Sequence, residues 1–441
     1  MVSGITAKFF KVKVKLKLIL YKPAMRFINI RNNITSGLEL TWFSLIDELK
    51  TIFSDSGAML ILFFAVFSYP LVYSIAYKNN VVRDIPVSIV DLDKTSVSRQ
   101  LTRMLGATKE ISVNHEVGSL QEAKQLFWDG DSKGIILIPE GFEKNLSKGF
   151  QTSVGVYCDA SYFLIYKETL SGTIQAAGTL SAGVEIKRLL ASGSSEEQAK
   201  QQRDPMPAKF YSLYNPAGSY GSSIMPGMIL IILQQTLLIG IGMIGGAGKE
   251  RRNSQEIKPG VRVRQGMFSV VFGKGLAYFL IYIPNIAFTL VYLSKWFGFP
   301  DKGSFTDVCI LLVPYLFSVI FLGLMISMLF RRREHSIMAL VFFSPIVLFL
   351  SGLSWPKTAI PHLLSLIAQI FPSTTMIPAY LRVRTMGVPI SAVKPELLFL
   401  LCQMIVYFLI ASAVYKISVI RQAKKGMERK GDLESVESGN G

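Results

Sequence analysis

Charge is scarce in this chain. Asp, Glu, Lys and Arg make up 17% of its 441 residues, where soluble domains carry about a quarter. With 50% hydrophobic residues and a mean hydropathy of +0.39, that shortage excludes an ordinary soluble protein and indicates a polytopic membrane protein. Cysteine and histidine are nearly missing. Cys158, Cys309 and Cys402 are scattered, two of them inside apolar runs, and form neither a disulfide framework nor a metal-ligand spacing. Three histidines are too few and too dispersed for a metal centre. No metal or other cofactor is expected on the chain, and no catalytic residue. A phosphate-binding loop is also missing. In Gly245-Gly246-Ala247-Gly248-Lys249-Glu250, Met243 stands where the first glycine is required and Glu250 where Ser or Thr is required. No charge falls in the middle of any apolar run. A charge there costs about 2.5–3.5 kcal/mol and is kept mainly for ion or proton handling, so a proton-coupled transporter is disfavoured. The net charge of +17 does not point to nucleic acid, because Lys and Arg sit beside the apolar runs, as the positive-inside pattern requires.

What is present is organised around Met225–Gly246, an uncharged run long enough to span a bilayer, ending at Lys249-Glu250-Arg251-Arg252. Before it lies a long water-soluble stretch. After it come apolar spans on short basic loops. Residues 1–36 read as a basic cytoplasmic tail that touches anionic lipid. Residues 37–54 read as an amphipathic helix. Trp42, Leu45, Ile46, Leu49, Ile52 and Phe53 share one face, with Asp47, Glu48, Lys50 and Ser54 on the other, a pattern suited to the membrane interface. Span one is expected over 58–77, kinked near Pro70.

Residues 78–223 then lie outside the membrane as a mixed α/β domain with a helical stalk. Strands are expected at Ile85–Val90, Ile111–Asn114, Gly134–Ile138 and Val154–Cys158. Helices are expected at Thr95–Leu105, from a Ser119 cap to Trp128, at Ser161–Ala191 and at Glu196–Arg203. Asp91, Asp93 and Asp159 fall at strand ends, where turn capping is the simpler role and metal binding or catalysis the sharper one. Five more spans follow at 224–246, 269–293, 307–330, 337–353 and 396–416, with a loop at 247–268 and a tail at 417–441. Six spans with both termini cytoplasmic place every strongly basic loop on one side. Residues 354–395 are divided by Pro356, Pro361, Pro372 and Pro378 into pieces too short to span. They read as re-entrant half-helices, of the kind that mark substrate paths or gates, or as a surface loop with an interfacial helix. Gln234 and Gln235 are the strongest polar feature of the spans, bonding across a helix interface or facing a path.

Together these features resemble the permease subunit of a type-2 ATP-binding-cassette (ABC) exporter, of the bacterial branch with a large periplasmic domain after the first span. The resemblance covers roughly residues 38–420. It is carried by the elbow helix Leu38–Phe53, the run Arg83–Asp93, Asp159-Ala160-Ser161, and Tyr214-Asn215-Pro216 with Tyr220. It continues in Pro226-Gly227, Gln234-Gln235-Thr236, and Leu350-Ser351-Gly352 with Pro356 and Pro361. The resemblance implies a half-transporter in the bacterial inner membrane that pairs with a second copy or a paralogous permease. A separate cytoplasmic ABC ATPase would hydrolyse ATP. It further implies a drug, lipid or glycan-like substrate, and a periplasmic adaptor with an outer-membrane channel as partners. Asp47, Glu48 and Lys50 of the elbow, and Lys249, Glu250, Arg251 and Arg252, would receive the ATPase motion. Gln234 and Gln235 would line a path or helix interface, and Gly352, Pro356 and Pro361 a gate. The sequence departs from the family pattern after Glu250, where Arg251-Arg252-Asn253-Ser254 replaces the common glycine-threonine turn. A membrane sensor or scaffold displaying the outer domain is the alternative.

Overall fold

A computed structural model describes residues 35–77, 82–209, 211, 213–215, 219–254, 266–330 and 332–438; for 35–36, 249–254 and 422–438 it describes the backbone alone. The basic tail up to residue 34, Pro216 and the loop residues 255–265 lie outside the described residues. The chain divides into two compact units, Met1–Ile75 with Ser222–Gly441, and Ala76–Gly221.

The first unit opens on α1 (Thr35–Ser54). Ser44, Leu45, Glu48 and Ile52 are buried while Trp42, Phe43 and Phe53 are exposed. The buried set is spaced at 1, 3 and 4, one helical face. The sequence grouping therefore needs correction. Trp42 and Phe53 belong to the outer apolar side, and Glu48 belongs to the packed stripe. Next, α2 (Ser56–Ala76) is the first candidate span. Asp55 starts it by accepting the N–H groups of Gly57 (3.1 Å) and Ala58 (3.0 Å), a side-chain N-cap. A π-helical turn, Leu60–Ala65, precedes Pro70.

The second unit is built on a four-stranded sheet of order β2-β1-β3-β4. Its elements are β1 (Ile85–Asp91), α3 (Ser96–Gly106), β2 (Ile111–Val117), α4 (Leu120–Asp129), β3 (Gly134–Ile138), α5 (Phe142–Ser147), β4 (Gly155–Cys158), α6 (Phe163–Ala191) and α7 (Glu196–Arg203). β1 runs parallel to both β2 and β3, and β4 is antiparallel to β3. Ile85, Val87 and Ile89 of β1 pack with Leu101, Leu105, Ile136 and Ile138 in one core. Thr95 and Ser98 form a capping box at α3, and Ser119 accepts the Glu122 N–H at α4. The short helix α5 has no sequence signal. Its N-cap is Gly141 in the left-handed region, without a capping side chain.

The aspartates at the strand ends cap turns. Asp91 accepts the N–H groups of Asp93 and Lys94, and the Ser98 hydroxyl at 2.6 Å. Asp93 accepts the Thr95 hydroxyl at 2.6 Å and the Glu143 N–H at 2.9 Å, joining the β1–α3 turn to the start of α5. Asp159 accepts the Ser161 N–H.

The chain then returns to the first unit through α8 (Tyr220–Ser254), a single 35-residue helix. It is followed by α9 (Met267–Trp296), α10 (Phe305–Ser327), α11 (Arg333–Leu350), α12 (His362–Ala368), α13 (Pro372–Thr385) and α14 (Lys394–Ser438). Among the described residues six helices, α2, α8, α9, α10, α11 and the segment Ile390–Arg421, are long and apolar enough to cross a membrane. With α8 83% buried over its most apolar window, against 22–67% for the others, α8 is the central helix. Its Gly242 lies against Ser336 of α11, and a Cβ at Gly246 would lie 2.9 Å from the Arg332 backbone.

Asp93 gives this unit an acid-sensitive turn. Burial pushes its carboxyl up. The hydrogen bonds from Thr95 and from the N–H groups of Glu143, Gly141 and Phe142 outweigh that and hold it below the ordinary aspartate range. A lowered folded-state value means the bond network is intact above the ordinary aspartate range and is lost as pH falls through the lowered value. Asp93→Ala is expected to weaken the start of α5 by about 1 kcal/mol, the usual cost of a lost cap. Amide exchange at residues 141–143 should rise, and its further rise in acid should disappear in the variant.

Candidate functional site

Between α11 and α14 the chain is broken into short pieces. α11 ends at Leu350, and Gly352 turns the chain with φ +84, where an L side chain is strained. A Cβ at Gly352 would also lie 2.6 Å from the Lys357 side chain. Pro356 opens a 3₁₀ turn, Lys357–Ala359, and Pro361 is the N-cap of α12. α12 and α13 then meet at 92°. Neither half spans a bilayer alone. In apolar surroundings each backbone group exposed by such a break needs an internal partner.

Side chains from other helices supply those partners. Thr374 donates to the Ala368 carbonyl (2.7 Å), Gln403 of α14 to Gln369 O (2.6 Å), and Tyr407 of α14 to Ile370 O (2.6 Å). On the α13 side, Gln234 Oε1 of α8 accepts the Ser373 N–H at 2.9 Å. Pro378 has no N–H to give the carbonyl four residues earlier. That carbonyl, Thr374 O, accepts the Lys357 ammonium instead.

Two π-helical turns are satisfied in the same way. In α2, Leu62 O accepts Asn285 Nδ2 at 2.8 Å. In α9, Leu290 O of the turn Ala287–Tyr292 accepts Arg384 Nη2 at 3.1 Å. Such turns recur at functional positions. Arg384 is itself buried in the π-turn Leu381–Thr385 of α13 and pairs with Asp301 at 2.5 Å. The N–H groups of Lys302 and Gly303 bond the Arg384 carbonyl. Sequence reasoning passed over Arg384. Its signal was the pair Arg382 and Arg384 inside an otherwise apolar stretch.

At the end of the spans that carries the basic loops, two ion pairs fix α1 and α2. Glu48, 3% exposed, binds Lys274 and accepts the Tyr278 hydroxyl at 2.8 Å. Gly273 makes this possible, since any Cβ there would collide with the Thr41 carbonyl of α1. Lys274 thus lies inside the third span, not beside it, with its charge met by Glu48. Arg333, at the start of α11, forms a bidentate pair with Asp55 at 2.9 and 3.0 Å. Burial opposes the Asp55 charge, but the Ala58 N–H and the Arg333 guanidinium more than offset it and hold the carboxyl below its ordinary range.

The sequence-stated residues divide accordingly. Asp47 and Lys50 are exposed on α1, whereas Glu48 is buried against α9 and is not available to an outside partner. Lys249, Glu250, Arg251 and Arg252 lie on α8, with side chains outside the described residues. Gln234 meets the broken pair. Gln235 is buried beside it, and its amide nitrogen has no partner among the described residues. Gly352, Pro356 and Pro361 shape the entry to the break. Among the described residues no group of three His, Cys, Asp or Glu could hold a metal ion.

Comparison with known proteins follows the same outline. Residues 57–413, from the first candidate span into the last, match the family described as ABC-2 family transporter protein. A curated relative, ABC transporter G family member 20 of Dictyostelium discoideum, is 23% identical over 378 residues. The alignment takes in 84% of this chain and 46% of the relative, so the chain spans about half the length of that protein. No solved structure matches. The match across the spans and the broken pair makes the chain a member of the ABC-2 transporter family, the permeases of type-2 ABC transporters.

Proposed function

We propose that this chain is the membrane-spanning permease subunit of an ATP-driven exporter. It works as a homodimer or beside a paralogous permease, with ATP hydrolysed on a separate ABC ATPase at the cytoplasmic, basic-loop end. The family match over residues 57–413 carries the reading. In this reading the α/β unit stands outside the membrane, on the release side. The substrate is a drug, lipid or glycan-like molecule drawn from the cytoplasm or inner leaflet.

The geometry supplies a route for force. α1 is fixed to α9 through Glu48, Lys274 and Tyr278, and α2 to α11 through Asp55 and Arg333. A push on the exposed Asp47 and Lys50 side of α1 is then carried by whole spans and is not absorbed at a loose joint. The cluster Lys249–Arg252 ends the central helix α8 and offers a second point of contact.

Co-purification with a candidate ABC ATPase, followed by vanadate-sensitive ATP hydrolysis in nanodiscs, tests the reading. Hydrolysis is expected to depend on this chain and to fall severalfold with Glu250→Ala and Arg251→Ala together. A chain that never retains an ATPase would instead fit a membrane sensor or scaffold. The clamp makes its own prediction. Glu48→Ala leaves the half-buried Lys274 ammonium and the buried Tyr278 hydroxyl without their carboxylate and should cost about 3 kcal/mol in thermal unfolding. Glu48→Leu with Lys274→Leu should cost less than the sum of the two single changes.

A further inference from the structure

The central helix and the broken pair share one buried hydrogen bond, from Ser373 N to Gln234 Oε1. Ser373 is the second residue of α13, after Pro372, so its N–H is one that the helix cannot pair itself. Phe371, at the N-cap, has no side-chain acceptor to offer. The cap therefore comes from another helix, α8. Both Gln234 and Ser373 are fully buried, and Gln234 Nε2 has no partner among the described residues, where the carboxamide is held through its oxygen. About two turns earlier on α8, a Cβ at Gly227 would lie 2.7 Å from Leu353 and 3.1 Å from Ile377 of α13. α8 thus touches this segment along a continuous face.

The two sides of the break itself are capped from different spans. The carbonyls closing α12 are tied to α14 through Gln403 and Tyr407. The opening N–H of α13 is tied to α8. The far end of α13 is fixed through Arg382 to Glu396 of α14 and to the Ala392 carbonyl, and its start is held by Thr374 and Lys357 as well as by Gln234, so the Gln234 cap is the bond there that α8 supplies. One residue of axial shift in α8 moves Gln234 by about 1.5 Å, enough to break a 2.9 Å bond.

We propose that Gln234 is a positioning residue that couples α8 to the α12–α13 break. While its oxygen caps Ser373, the bend keeps the arrangement described above; displacement of α8 withdraws the cap and loosens the start of α13. The basic end of α8 at Lys249 lies roughly 22 Å along the same helix, so force applied there reaches the break without passing through a loop. The direction and source of that force rest on the permease reading; the cap does not.

Amide exchange of the full chain in lipid nanodiscs, without any ATPase, tests the proposal. Gln234→Met keeps length and volume but removes the acceptor. Exchange at Ser373 should rise by about tenfold, as loss of one buried hydrogen bond implies, with α10 unchanged. Gln234→Glu keeps an acceptor oxygen in either protonation state and should stay near the parent. Gly227→Ala, which pushes α8 away from Leu353 and Ile377, should raise Ser373 exchange although Gln234 is intact. Equal rises for Met and Glu, a rise that spreads to α10, or no response to Gly227→Ala would each overturn the proposal. Because no ATPase is present, the permease reading can fail while this result stands.

Discussion

An apolar medium has no water to pair an exposed peptide group, and the rest of the membrane unit is arranged around that constraint. A continuous helix meets it alone. A broken or widened helix needs donors and acceptors from its neighbours, and those neighbours become fixed to it. Gln234, Gln403, Tyr407, Thr374 and Lys357 serve the 92° break between α12 and α13. Asn285 and Arg384 serve the π-turns of α2 and α9. Polar side chains that would be costly in isolated spans thus specify which helices meet and in what register.

Charge follows a related logic. Lys274 and Arg333 sit at the basic-loop end, each matched to one carboxylate that is 4% or less exposed at its side chain. A pair of this kind contributes little net stability over an apolar contact, because burial of both ions opposes it. What it does supply is geometry. A mispaired α1 would leave Glu48 buried without a partner, so the elbow has one low-energy seat on α9. Arg384 with Asp301 plays the same part at the other end of the bundle, holding the loop before α10 against α13.

Much of the plan was legible in the sequence. The six apolar runs, the α/β insertion, the elbow periodicity and the proline-broken segment all follow from patterns that local residues set. What escaped were features created by packing. Period 3.6 places Glu48 near either edge of the elbow's polar face, and only contact with Lys274 decides that it turns inward. α5 has no cap side chain, since its partner is Asp93, some fifty residues earlier. Arg384 looks like a flanking charge until the π-turn of α9 presents Leu290 O to it. Gln234 was readable as a polar residue in mid-span, but its role as an N-cap belongs to Ser373, which lies far along the chain. Residues that satisfy someone else's backbone leave little trace in their own neighbourhood.

The two sides of the break are capped from different spans, α14 and α8, and in the proposed coupling the angle between α12 and α13 follows α8. Spin labels at Leu363 on α12 and Thr375 on α13, in a chain with its native cysteines replaced, report that angle directly in nanodiscs. The distance distribution should shift when the chain is held with its ATPase in a vanadate-trapped state, and should shift the same way in Gln234→Met without nucleotide. Identical distributions in all three conditions, while ATP hydrolysis proceeds, would contradict the claim and leave the broken pair a rigid element of the bundle.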